Sequence, residues 1–306
     1  MIAGLWGVCA CRAAAIPDSE RFPAGYPFTP QYVTVAGTRL RYIEAGHGPA
    51  VILLHGLGAS VYSWRKMIGP LAADGFHVIA FDSRGFGGSG KPPGGYRNAE
   101  LAALVVGVMD SLHLPEAVLV GHSMGGAIAA EAALRYPERV RGLVLLDAAG
   151  YGIREPLVLR LAGIPLVGAV ATGLRGRHVV ERLLRYMYAN PGRVTQADVD
   201  QYYAPVAAAD FGPAFRAVLR EFDFAALRGR LGAVRAPTLV VWGLDDRLIP
   251  PELGRAMATD LQRGAFVLLP DAGHDIQEEA PDALLRSLVA FLREGLPHPP
   301  ADLALH

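Results

Sequence analysis

A serine at the centre of a G-x-S-x-G sequence, directly behind an apolar run, restricts what this chain can fold into more than any other feature. The apolar run covers residues 117–120, and Ser123 lies between Gly121 and Gly125. A short continuous apolar run is typical of a strand that is buried on both faces. The Ala-rich stretch over 126–134 favours a helix. The pattern therefore predicts a strand that turns sharply into a helix and leaves the Ser123 hydroxyl exposed at the bend.

Further apolar runs predict a mostly parallel sheet. Residues 31–45 alternate around Gly37 and Thr38, which indicates an antiparallel hairpin at a sheet edge. Helical patterns separate the later runs, and this alternation is typical of a doubly wound α/β fold. We expect an α/β fold with a doubly wound, mostly parallel sheet of about eight strands. The predicted buried strands lie at 50–54, 77–81, 117–120, 143–146, 238–242 and 265–269, and the predicted helices at 60–73, 98–112, 125–135, 252–262 and 281–294.

One interval interrupts this alternation and predicts an inserted helical cap. No convincing strand lies between residues 146 and 238, which is too long for an ordinary connection. Helical patterns occur at 157–170, 178–187, 195–207 and 213–219. We expect these helices to cover the carboxyl ends of the strands and to exclude water from a site there. The predicted organisation is a core over 26–148 and 236–296, a cap over 149–235 and a disordered tail over 297–306.

Residues 1–25 are set apart from the fold as a leader. The segment contains both cysteines of the chain, Cys9 and Cys11, which are too few for a disulfide framework. Residues 8–11 resemble a bacterial lipoprotein cleavage box, but no basic residue precedes the apolar part. The leader is therefore either a disordered extension, a misplaced start or a signal for export or lipid anchoring, and the cytoplasm is the expected location.

Charge and hydropathy disfavour two classes of partner. Lysine and arginine together number 29, and so do aspartate and glutamate, with no basic block that would bind nucleic acid. No apolar stretch reaches the length of about 18 residues that a transmembrane helix needs. We expect neither a nucleic-acid partner nor a transmembrane span. The sequence leaves the oligomeric state open.

Candidate partners for Ser123 follow two late strands. A serine hydroxyl needs a neighbouring base, and the base needs an orienting acid. The expected chain order is serine, acid, histidine, and His274 follows the strand predicted at 265–269. Asp246 is the favoured acid because its neighbour Asp245 is suited to a turn, and Asp147 is a third choice.

An early loop predicts the groups that would stabilise an oxyanion. His55-Gly56-Leu57-Gly58 follows the strand predicted at 50–54. Backbone N–H groups stabilise the negative oxygen that forms when a nucleophile attacks an acyl carbon. We expect one such donor from Met124, directly after Ser123, and a second from Leu57.

Together these motifs resemble the α/β-hydrolase superfamily, and in particular its capped, esterase-like members. The resemblance covers about residues 31–295 and implies that Asp246 is the acid and Leu57 the second oxyanion donor. It also implies that Asp82 and Arg84 hold loops together. No metal or organic cofactor is implied. The matching stretches are His55-Gly56-Leu57-Gly58, Asp82-Ser83-Arg84-Gly85-Phe86-Gly87-Gly88-Ser89, Gly121-His122-Ser123-Met124-Gly125-Gly126, Trp242-Gly243-Leu244-Asp245-Asp246 and Gly273-His274.

Departures from related families narrow the expected chemistry. Haloalkane dehalogenases and epoxide hydrolases of this type use aspartate where this chain has Ser123. Carbon–carbon bond hydrolases usually carry Gly-Asn-Ser at the bend, whereas His122 precedes the serine here. The sequence thus predicts a serine hydrolase of a carboxylic ester with a small or medium apolar acid. A meta-cleavage type carbon–carbon hydrolase and a catalytically silent ligand-binding protein are the alternatives.

Overall fold

One eight-stranded sheet lies at the centre of the computed structural model, which describes residues 28–152 and 176–294. The strand order is β1-β2-β4-β3-β5-β6-β7-β8. Strand β2 is antiparallel to both of its neighbours, and every pair from β4 to β8 is parallel. The strands are β1 Gln31–Val35, β2 Thr38–Ala45, β3 Ala50–Leu54, β4 His77–Phe81, β5 Ala117–His122, β6 Val140–Leu146, β7 Thr238–Gly243 and β8 Gly264–Leu269.

Helices flank the sheet, and the predicted α/β fold class is confirmed. All six apolar runs are strands, and the edge hairpin is the β1–β2 pair. The helix predicted over 60–73 instead begins as a 3₁₀ turn, Val61–Trp64, which the Ser60 side chain caps. Among the described residues the α-helices are α1 Ile68–Ala73, α2 Asn98–Ser111, α3 Met124–Arg135, α4 Arg177–Met187, α5 Gln196–Ala207, α6 Phe211–Glu221, α7 Pro251–Asp260, α8 Ile276–Glu279 and α9 Pro281–Glu294.

Apolar packing on both faces of the sheet explains the continuous apolar runs. In β3, Ile52 and Leu54 point into a core that α2, α3 and α7 cover. Val51 and Leu53 point into a second core on the opposite face, which α1 and α9 cover. All four side chains are fully buried. A strand with both faces buried has no position for a polar residue, so the sequence does not alternate.

Helices α4 to α6 lie between β6 and β7, and we call residues 176–234 the inserted segment. The segment contacts the core through Phe211, whose ring lies 6.4 Å from that of Phe86. Glu221 of α6 also accepts hydrogen bonds from the backbone N–H groups of Gly95 and Tyr96, both at 3.0 Å. Three of the four helices predicted in this interval correspond to α4, α5 and α6. The division into core and cap remains a prediction.

Several predictions fall on residues that the structure does not describe. The predicted helix at 157–170, the leader with Cys9 and Cys11, and the tail over 297–306 all lie outside the described residues. Within 28–152 and 176–294, none of the helices is both long and apolar enough to cross a bilayer.

A buried ion pair holds the turn that follows β4. Arg41 Nε lies 2.6 Å from Asp82 Oδ2, and both side chains are buried. Asp82 also accepts hydrogen bonds from the backbone N–H groups of Val61 and Gly88, both at 2.7 Å. Burial disfavours the charge, but Arg41 and these donors outweigh it and hold the pKa of Asp82 below its usual range. Asp82 thus ties β2, the turn after β3 and the turn after β4 together.

We expect Asp82→Ala to destabilise the protein by about 3–5 kcal/mol, because it leaves the Arg41 charge buried without its carboxylate. Urea denaturation measures the decrease in the free energy of unfolding. The matched control is Asp74→Ala, which removes the surface pair with Arg293 and should cost less than about 1 kcal/mol. Equal losses in the two variants would contradict this role for Asp82.

Candidate functional site

Ser123 lies at a strained bend between β5 and α3. Its backbone has φ 53° and ψ −119°, a region that costs a residue with a side chain about 1–3 kcal/mol. Backbone hydrogen bonds hold the bend, and one of them runs from the Ala127 N–H to the Ser123 carbonyl at 3.3 Å. The Ser123 N–H donates to Leu146 O at 2.9 Å, and the Ser123 carbonyl accepts from Gly126 at 2.9 Å and Ala149 at 3.0 Å. The predicted strand–turn–helix geometry is therefore present.

Three glycines around the serine leave no room for side chains. A Cβ at Gly121 would overlap the Gly125 carbonyl, and a Cβ at Gly125 would overlap the Leu54 carbonyl. A Cβ at Gly126 would lie 2.5 Å from Ala148 Cβ. These close approaches bring the end of β3 against the first turn of α3.

His274 and Asp246 meet across 28 positions of sequence. His274 Nδ1 lies 2.8 Å from Asp246 Oδ2, and both side chains are buried. The other oxygen of Asp246 accepts from the backbone N–H groups of Leu248 at 2.8 Å and Ile249 at 2.9 Å. The hydrogen bond to Nδ1 orients the imidazole and leaves its Nε2 to act as a proton acceptor.

The two other aspartates considered from the sequence have different surroundings. Asp245 is exposed. Asp147 is buried directly after β6, and its Oδ1 accepts from the Gly243 N–H at 2.8 Å. Burial, together with the nearby charge of Asp246, raises the pKa of Asp147 well above the usual range. Of the three aspartates, the described structure places only Asp246 in hydrogen-bond contact with His274.

His122 is a further residue of the site whose role the sequence did not indicate. Its Nε2 lies 2.7 Å from the His274 carbonyl oxygen, so Nε2 carries the proton and donates it. The two imidazole rings lie 4.9 Å apart. The pKa of His122 is well below its ordinary value, mainly because the ring is buried. The ring therefore stays neutral. The residue before the serine therefore fixes the backbone of His274.

His122 connects Ser123 with His274. Ser123 directly follows His122, and the His122 ring packs against the His274 ring. No hydrogen bond between the Ser123 hydroxyl and the His274 imidazole is present among the described residues. Such bonds are often long in a free enzyme and shorten in the complex with substrate.

The loop after β3 approaches the same bend. A Cβ at Gly56 would lie 3.2 Å from Ser123 Cβ and 3.0 Å from His122 Nδ1. Leu57 comes next and is half-buried. Met124 is the first residue of α3, so its N–H has no partner within the helix and lies at the positive end of the helix dipole. The bend therefore places the Met124 N–H close to Ser123, and the expected donor role of Leu57 remains a prediction.

In the part of the chain that the structure describes, no three His, Cys, Asp or Glu side chains form a group that could hold a metal ion. The expectation that the site needs neither metal nor organic cofactor remains a prediction.

Comparison with known proteins identifies the family. A family model described as the alpha/beta hydrolase fold matches residues 49–281. The chain belongs to the α/β hydrolase fold family. It is 31% identical to the 2-hydroxy-6-oxo-6-phenylhexa-2,4-dienoate hydrolase of Burkholderia cepacia, covering 87% of this chain and 97% of that protein.

Solved structures of the same family are similar over most of their length. A meta-cleavage product hydrolase from Pseudomonas fluorescens matches with a TM-score of 0.77 and 26% identity, covering 87% of this chain and 98% of that one. The enol-lactonase from Burkholderia xenovorans matches with a TM-score of 0.73 and 27% identity, covering 86% of this chain and all of that one.

The surroundings of His274 predict a histidine that accepts protons readily. Burial alone would lower the pKa of His274, but the charge and hydrogen bond of Asp246, together with Asp275 and Glu279, raise it above the ordinary value. We therefore expect His274 to titrate above about pH 6.5, as measured by histidine NMR. In Asp246→Asn the pKa of His274 should fall, because the charge and the hydrogen bond that oppose burial most strongly are lost.

Asp245→Asn is the matched control for this measurement. Asp245 is exposed, so water screens its charge and the His274 titration should not move. A shift in Asp245→Asn as large as that in Asp246→Asn would contradict the assigned hydrogen bond.

Proposed function

We propose that this α/β hydrolase cleaves a carboxylic ester of a small or medium apolar substrate through an acyl-enzyme intermediate on Ser123. The observation that carries the proposal is the hydrogen bond from His274 to the buried carboxylate of Asp246, beside a serine held at a strained strand–helix bend. A serine alone is a weak nucleophile, and an oriented imidazole is the group that activates it.

The proposed reaction uses side chains and backbone groups of this chain and one water molecule. Ser123 Oγ attacks the ester carbonyl carbon while His274 Nε2 takes the hydroxyl proton. The backbone N–H groups of Leu57 and Met124 stabilise the oxyanion. As the tetrahedral intermediate collapses, His274 returns the proton to the leaving alcohol, and it then activates a water that releases the acid. Asp246 holds the imidazole tautomer and stabilises the imidazolium.

We propose that the inserted segment is the cap over this site. Its helices lie between β6 and β7, and the carboxyl ends of these strands lead into Asp147 and Asp246. Sites of open α/β sheets form at the carboxyl ends of the strands. A helical cover there excludes water and strengthens the electrostatic interactions of the site.

Relatives support both ester and carbon–carbon bond chemistry. The enol-lactonase from Burkholderia xenovorans cleaves a cyclic ester by its name, which favours the main proposal. Meta-cleavage product hydrolases are also among the relatives, and they make carbon–carbon bond hydrolysis the second candidate. His122 at the position where such enzymes usually carry asparagine favours the ester.

We expect Ser123→Ala to lower the kcat for a short p-nitrophenyl ester by about a thousandfold or more, because the nucleophile is gone. Labelling by a fluorophosphonate probe should disappear in the same variant. The control is Ser111→Ala, which removes an exposed hydroxyl on α2. It should leave both the kcat and the labelling unchanged. Turnover that survives in Ser123→Ala would refute the assignment, and an unlabelled wild-type protein would favour a silent ligand-binding protein.

A substrate comparison separates the two reactions. The substrates are a series of p-nitrophenyl esters graded by acyl length and a vinylogous diketo acid. We expect kcat/KM for the best ester to exceed kcat/KM for the diketo acid by at least about tenfold. The first substrates release a coloured phenolate, and the diketo acid loses its own absorbance on cleavage. A higher kcat/KM for the diketo acid would show that the enzyme is a carbon–carbon bond hydrolase and would contradict the ester proposal.

A further inference from the structure

The backbone of His274 is anchored to the inserted segment as well as to the core. Its N–H donates to the carbonyl of Met187, the last residue of α4, at 2.8 Å. Its carbonyl accepts from His122 at 2.7 Å, and its imidazole bonds Asp246 at 2.8 Å. His274 is therefore the point where the bend at Ser123, the turn after β7 and the end of α4 meet.

Gly273 lies directly against the chain that follows α4. A Cβ at Gly273 would overlap the Met187 carbonyl and lie 2.6 Å from the Ala189 nitrogen. It would also lie 2.9 Å from Glu279 Oε1. The two backbones are thus in direct contact, and a displacement of one requires a displacement of the other.

The buried carboxylate of Glu279 joins these two backbones. Its Oε1 accepts from the Gly273 N–H at 2.8 Å. Its Oε2 accepts from the Ala189 N–H at 2.8 Å and from the Asn190 N–H at 3.4 Å. Burial raises the pKa of Glu279, and the hydrogen bonds from these three backbone N–H groups oppose that shift. One carboxyl group therefore bridges the residue before His274 and the residues after α4.

We propose that Glu279 is a positioning residue that couples the inserted segment to His274, so that turnover depends on how the end of α4 holds the histidine. The inference rests on the proposed function, in which His274 is the base. The physical reason is the sensitivity of proton transfer to placement: a displacement of about 1 Å can cost about a hundredfold in rate. We expect substrate binding to change much less, because the side-chain hydrogen bonds of Glu279 go to backbone N–H groups that the proposed reaction does not use.

Glu278 provides a matched control one residue away. Its carboxylate lies 2.5 Å from Arg65 and accepts a hydrogen bond from Tyr188 at 2.9 Å and another from Tyr202. Glu278 therefore also ties the inserted segment to the core. The side-chain bonds that it makes go to none of residues 271–274, so it controls for a general loosening of the segment.

The test compares Glu279→Ala, Glu279→Gln and Glu278→Gln with the wild-type protein. In Glu279→Ala we expect kcat for the p-nitrophenyl ester to fall by about tenfold or more while KM changes by less than about twofold. The downfield proton resonance of His274 Nδ1 should shift or broaden. Glu279→Gln should be intermediate, because one amide oxygen can accept from one side of the bridge only. Glu278→Gln should lower the Tm yet keep kcat within about twofold.

Three outcomes would overturn the coupling. The first is an unchanged kcat per folded molecule in both Glu279 variants. The second is a loss of kcat in Glu278→Gln that equals the loss in Glu279→Gln. The third is an unmoved His274 resonance. If Glu279→Ala does not fold, Glu279→Gln decides alone. If Ser123→Ala is active, the proposed function is refuted. If Ser123→Ala is inactive and both Glu279 variants are fully active, only the coupling is refuted.

Discussion

The bend at Ser123 is the constraint on which the rest of the site depends. A residue with a side chain adopts a positive φ there, and hydrogen bonds to Leu146, Gly126 and Ala149 offset the strain. Glycine at 125 lets the end of β3 approach the first turn of α3, and glycine at 121 lets β5 approach the same turn. The same bend presents the His122 imidazole to the His274 carbonyl. One local conformation thus sets the positions of the Ser123 hydroxyl, of the Met124 N–H and of the His122 ring that bonds the His274 backbone.

Buried aspartates at the same edge of the sheet differ in their chemistry because their partners differ. Asp82 faces Arg41 and stays ionised, and it holds loops together. Asp246 faces His274 and two backbone donors. Asp147 accepts a hydrogen bond from the Gly243 N–H, and burial together with the charge of Asp246 raises its pKa well above the usual range. For Asp275, burial and the neighbouring Glu278 raise the pKa to about 7. An aspartate after a buried strand is therefore not sufficient to define an acid of the site.

Hydrogen bonds from two directions hold the proposed base. The core contributes Asp246 and His122, and the inserted segment contributes the carbonyl of Met187. In the proposed enzyme, the helices that cover the site would also hold its base in place. Substrate selection by the cap and the geometry of proton transfer would then be physically connected. Relatives with the same core could differ in reaction through the segment as well as through the residues that contact substrate.

The sequence alone determined the sheet strands, the edge hairpin, the bend at Ser123 and the order of candidate residues. The spacing of apolar residues, the residue types at turns and the length of apolar runs are local properties, so they can be read from the sequence. It favoured Asp246 as the acid while Asp245 and Asp147 remained possible, and it indicated no role for His122 or Glu279. Only the tertiary structure joined His122 to His274 across 152 positions and Glu279 to Ala189 across 90. Such bonds depend on how distant elements pack, and no local pattern carries that information. The contacts that orient a side chain therefore became visible only in the folded chain.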